Sequence, residues 1–112
     1  MTTDSKSNQY FTANLLFGSL RNDQFSSENL WEESFVLIEA RTSSEALEKA
    51  VELGRSRNLT YEAVDGTKVS WEFVRVERVF EIDEINLQNG TELFSRHLRS
   101  SEVESLSKPF DD

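Results

Sequence analysis

Residues 59–82, "LTYEAVDGTKVSWEFVRVERVFEI", decide the fold class. Asp65-Gly66 stands between two runs of alternating apolar and polar residues, the strongest short-range signal for a β-hairpin. The second run, Thr67 to Ile82, is longer than an ordinary strand. Its phase also slips: Val69, Trp71 and Phe73 occupy odd positions, whereas Val74, Val76, Phe80 and Ile82 occupy even ones. A β-bulge near Phe73-Val74 reconciles the two halves, because one extra residue turns every later side chain to the other face.

Just upstream, "RTSSEALEKAVELGRS" carries a helix. Thr42 as N-cap with Glu45 three residues on forms a capping box. Ala46, Leu47, Ala50 and Val51 share one face, Glu45, Glu48, Lys49 and Glu52 the other, and Gly54 supplies a left-handed stop. Further back, "LWEESFVLIEA" reads as a strand from Trp31 to Ala40. A first strand covers Tyr10 to Leu20, where Phe11, Ala13, Leu15 and Phe17 keep a period of two and Gly18 interrupts it. Residues 21–29, "RNDQFSSEN", are loop chemistry. Downstream, "DEINLQNGTE" is a turn region and "LFSRHLR" a last strand.

The expected fold is therefore α+β in two layers: a mostly antiparallel sheet of about five strands with one helix packed on one face, in the order β-β-α-β-β-β. The chain of 112 residues suits a single domain, and 37% hydrophobic residues with eight Phe are enough for a modest core. The domain is expected over residues 10–99, between a flexible N-terminal tail at 1–9 and an acidic flexible tail at 100–112. Val103, Leu106 and Phe110 are spaced for a short tail helix, which Lys108-Pro109 would stop.

The formal charge of −9 argues against nucleic acid, whose phosphates are bound largely through Lys and Arg. No window approaches the roughly 18 apolar residues of a membrane span, and "MTTDSKSNQ" lacks the apolar run of a secretory signal. The expected compartment is the cytoplasm, with no membrane partner. Without cysteine there is no disulfide, no thiolate nucleophile and no sulfur-ligated metal.

In order and spacing, "LLFGSL", "LWEESFVLIEA", "EALEKAVELG", "VSWEFVRVERVFEI" and "GTELFSR" resemble the small bacterial domain-of-unknown-function family numbered four-two-eight-eight, over about residues 10–99. That resemblance implies a small α+β domain and carries no activity with it.

Chemistry is sparse. One His and no Cys exclude a zinc site, and Glu81 to Glu84 lack the Asp-rich, glycine-turned loop that holds calcium, so no metal is expected. His97 shares a strand face with Ser95 but has no acid marked out to orient it, and neither is assigned a catalytic role. The glycines are scattered rather than clustered before a helix, and no cofactor is expected. Glu32 and Glu33 point to opposite faces of one strand and cannot share a proton. A hydrolase or ligand-binding enzyme would have to pair Glu33 with Glu62 or Glu72 across strands.

Interface chemistry is richer. Five strands span ~19 Å, whereas one helix covers roughly 10 Å, so half of one sheet face stays bare while Phe17, Phe35, Phe73, Phe80 and Phe94 supply aromatic surface. Large bare apolar patches mark interaction sites. The expected function is a non-enzymatic module that self-associates or binds a protein partner through Trp31, Glu33, Phe35 and Phe94. An immunity or antitoxin-like inhibitor of a basic toxin is a special case suited by small size and acidity. Glu33 is expected to meet Arg75, Arg78 or Arg96 across the sheet.

Overall fold

The computed structural model describes residues 8–25, 29–82 and 87–108. Four strands, β1 (Gln9–Arg21), β2 (Trp31–Ala40), β3 (Leu59–Glu62) and β4 (Lys68–Ile82), form one sheet in the order β2-β1-β4-β3, every neighbour antiparallel. Helix α1 (Ser43–Ser56) leaves β2 at one edge and delivers the chain to β3 at the other, so it crosses the sheet. The α+β architecture with a mostly antiparallel sheet is as expected.

Register assigns the faces. Phe11, Ala13, Leu15 and Phe17 of β1 stand opposite Ile38, Val36, Ser34 and Glu32 of β2, and beneath α1 they make the core with Ala40, Ala46 and Ala50. Trp71, Phe73, Val76 and Val79 of β4 complete it. Two residues of β4, Val74 and Glu77, have no partner on β1, where the register shifts between Leu16/Phe17 and Asn14/Leu15. The first shift is the bulge that the phase slip requires. Phe73 can thus face α1 before it and Val76 after it. The second shift, which the sequence did not show, turns the chain back, so Val79 also faces α1 while Phe80 and Ile82 lie on the opposite face instead of continuing the series from Val76.

The segment "LFSRHLR" is not a fifth strand. Residues 91–99 adopt no regular structure. Their large apolar residues, Leu93, Phe94 and Leu98, do not alternate, and both edges of β1 are already taken by β2 and β4. A second helix, α2 (Ser100–Ser107), does form, but among the described residues it packs against no other helix or strand, and Val103 and Leu106 stay exposed. Of the expected tails at 1–9 and 100–112, residues 1–7 and 109–112, Phe110 among them, lie outside the described residues, as do residues 83–86 of the turn region and residues 26–28 of the loop.

Two local expectations change at α1. Gly54 is no stop: the helix continues to Ser56, and Gly54 is a buried residue inside it. The inward line is Ala46, Ala50 and Gly54, four apart, while Leu47 is exposed. At the other end the Thr42 hydroxyl accepts the Glu45 amide at 3.1 Å, but the Glu45 carboxylate reaches past the N-cap to the Arg41 amide at 2.7 Å.

That Arg41 amide, with smaller help from the charges of Lys49 and Arg41 and against slight burial, holds the Glu45 carboxyl below its ordinary value of 4.5. Because the folded value lies below the unfolded one, the linked stability is fully present above about pH 4.5 and is lost as pH falls through the folded value. Glu45→Gln is therefore expected to flatten the fall of melting temperature with acid below pH 4.5, measured by thermal melts across pH. An unchanged slope would contradict this.

The first loop is tighter than its composition suggests. Asn22 and Asp23 both have positive φ, 52° and 65°, and Arg21 and Gln24 exchange backbone hydrogen bonds, so the chain turns back through two left-handed residues. Asn22 and Asp23 also bond the start of β4 at Lys68. At the later hairpin, residues 63–67 connect β3 to β4, with Gly66 at φ 87° and Asp65 accepting from the Thr67 amide.

Candidate interaction surface

The face of the sheet away from α1 is built by the other phase of each strand. On β1 it presents Thr12, Asn14, Leu16 and Gly18; opposite them β2 presents Leu37, Phe35, Glu33 and Trp31. The remaining wall is Phe80, Arg78, Arg75 and Glu72 of β4. Phe35 and Leu37 thus do share a face with Glu33 and Glu39, but it is not the helix-covered face. Val36, Ile38 and Ala40 serve the α1 core instead.

Residues 91–99 run over this bare face as a strap. The Phe94 ring packs against Phe35 at 4.7 Å and Phe80 at 5.1 Å between centroids. Since Phe35 and Phe80 flank β1 from opposite sides, Phe94 lies above Thr12 and Asn14. Two residues on, the Arg96 guanidinium stands 3.6 Å from the Glu33 carboxylate, both side chains about one-third exposed. Among the three arginines expected near Glu33, Arg96 is the one it meets. Among the described residues, 92–98 make no backbone-to-backbone hydrogen bond, so side chains hold the strap. Beside it Thr12, Phe35, Leu37, Ile82, Leu93 and Phe94 line a concavity of about 540 Å3.

Of the four residues expected at an interface, Glu33, Phe35 and Phe94 lie near one another on this face, Phe35 against Phe94 and Glu33 against Arg96 two residues further on. Trp31 shares the face but lies at its far end, 51% exposed and stacked on Phe25 at 5.9 Å. These rings lie against Gly18, where an added Cβ would approach Phe25 to 2.9 Å and Trp31 to 3.1 Å. Gly18 thus lies within β1, kept small for two overlying rings, and does not interrupt the strand.

Sequence pattern missed Asn14. It is 2% exposed, and its Oδ1 has no hydrogen-bond partner among the described residues. Its only signal was a polar residue amid the apolar run of β1. An unpaired buried acceptor costs about 1–3 kcal/mol, so Asn14→Leu is expected to raise the melting temperature by several degrees. A lower value would show that the amide is satisfied in the folded protein.

The carboxylates stay apart. Glu33 on β2 and Glu72 on β4 are separated by β1, roughly 10 Å at the backbone, and Glu62 on β3 is one strand further. Among the described residues no three His, Asp or Glu side chains converge as metal ligands. His97 is exposed on the strap. No helix of the described residues is long and apolar enough to cross a membrane.

No curated protein and no solved structure significantly matches the chain. Residues 10–95, from the start of β1 to the strap just past Phe94, match the model of a domain of unknown function, DUF4288. The matched stretch takes in the sheet, α1 and the Phe94 anchor and stops before α2, and over that span the chain belongs to the DUF4288 family.

Proposed function

We propose that this domain is a non-enzymatic binding module whose working surface is the outer edge of β2 with the sheet face beside it, and that its first partner is a second copy of the chain. The observation that supports this reading is β2 itself. It is a ten-residue edge strand whose outer side is unpaired among the described residues, and it carries Trp31, Phe35 and Leu37 at 51%, 45% and 53% exposure. A long apolar edge is a template for strand pairing unless it is blunted by proline, a bulge or charged side chains; β2 has no proline, lysine or bulge, and its charges, Glu32, Glu33 and Glu39, lie towards its two ends and leave the stretch from Ser34 to Ile38 uncharged.

Charge and packing favour a pairing centred on Phe35. In an antiparallel two-fold pairing centred on Phe35, Glu33 faces Leu37 and Trp31 faces Glu39, so no two carboxylates are directly opposed. Centring on Val36 would set Glu33 against Glu39, which is unfavourable across a strand pair. The Phe35-centred dimer joins the two Phe35–Phe94 clusters across the axis. Action in the bacterial cytoplasm belongs to the same proposal.

Light scattering over a concentration series tests it. The wild-type chain should reach twice the monomer mass, and Phe35→Glu should remain monomeric with an unchanged circular dichroism spectrum. A wild-type monomer at every concentration would overturn the reading.

A further inference from the structure

We propose that the helix-side face holds a second, independent site, a trough for a small zwitterion with an apolar side group, such as a free aromatic α-amino acid. Helix α1 ends at Ser56 and leaves one end of that face uncovered. There Glu32 and Ser34 of β2, Phe17 of β1, Trp71 of β4, Leu59 of β3 and Arg57 just after α1 line a concavity of about 410 Å3. That volume falls within the roughly 300–1,000 Å3 of small-molecule sites. All four strands contribute, so the trough is a product of the complete fold.

Its charges give the ligand class. Glu32 enters from the β2 edge, and Arg57 from the chain that leads into β3 at the opposite edge, with the aromatic floor between them. These edges are ~14 Å apart at the backbone, a gap that the two long side chains narrow without closing. Among the described residues neither Glu32 nor Arg57 makes an ion pair, although Glu33, the next residue, does. Each therefore keeps its charge-assisted bonds for a ligand. An ammonium group suits Glu32 and a carboxylate suits the forked donors of Arg57, while the side group packs on Trp71, Phe17 and Leu59. A simple anion or cation would use only half of this arrangement.

Isothermal titration with L-phenylalanine, N-acetyl-L-phenylalanine and L-phenylalaninamide tests the assignment. L-phenylalanine should bind saturably, and Glu32→Gln and Arg57→Gln should each weaken it about ten- to a hundredfold. Glu32→Gln should leave the N-acetyl compound unaffected, since that ligand has already lost its ammonium. Arg57→Gln should likewise leave the amide unaffected. Both side chains are exposed, so folding is not at stake, and equal melting temperatures verify that. No saturation by about 10 mM, or equal effects of both substitutions on all three compounds, would overturn the proposal. Neither outcome bears on the β2 edge.

Discussion

Gly54→Ala is expected to destabilise the domain, although alanine is the better helix former by about 1 kcal/mol. Gly54 faces the sheet, and a Cβ there would lie 2.4 Å from two ring carbons of Phe73. No side chain tolerates that approach, so the ring or the whole helix must shift. Overpacking of this kind costs about 1–3 kcal/mol and sometimes more, and the closeness of this approach favours the upper end, which outweighs the propensity gain. The melting temperature should fall by several degrees. Phe73→Leu in the Gly54→Ala background should recover part of the loss, because it removes the ring that is struck. A variant more stable than wild type would mean that α1 does not sit this close to β4.

Phe94→Ala should have an effect of similar size by a different route. Phe94 is half-buried and touches two other rings, each aromatic pair being worth about 0.5–1.5 kcal/mol beyond the area it buries. The two pairs together contribute about 1–3 kcal/mol and the half-buried area about 1 kcal/mol more, a total loss of about 2–4 kcal/mol, somewhat below the 3–5 kcal/mol of a fully buried Phe. The strap should also come free, since only the exposed Arg96–Glu33 pair would remain near it, and such pairs contribute at most about 1 kcal/mol. Limited proteolysis should then cut within residues 92–98 of Phe94→Ala much faster than in wild type. Equal cleavage rates would show that the strap is held by something other than this ring.

Much of the fold was legible in the sequence because two periods are hard to counterfeit. The bulge was readable from the change of phase along β4, since only an inserted residue moves an apolar series from odd to even positions. The faces of β2 were not readable. Phe35 and Leu37 on one side, Val36 and Ile38 on the other, are equally apolar, and the choice between them was made by pairing with β1, a long-range property. The same ambiguity hid Asn14. Near the chain's end, "LFSRHLR" has enough strand-forming residues to pass for a strand, but its course is set by side chains, Phe94 on Phe35 and Phe80 and Arg96 on Glu33, which hold it over the sheet face instead of along the β2 or β3 edge. The ion pair of Glu33 with Arg96 was one of three that the sequence offered, and only the course of the strap chose among them. Glu32 was set aside only because it diverges from Glu33. That divergence puts it on the α1 side, facing Arg57 across the trough.

Self-association through the β2 edge has a direct signature in the backbone. Amide hydrogen exchange of β2, followed from dilute to concentrated protein, measures this directly. The β2 amides that do not bond to β1 should exchange fast when dilute and become protected as concentration rises, with those nearest Phe35 protected most. Exchange at these amides that is independent of concentration, alongside a rising solution mass, would mean that the copies meet elsewhere and that the β2 edge is not the interface.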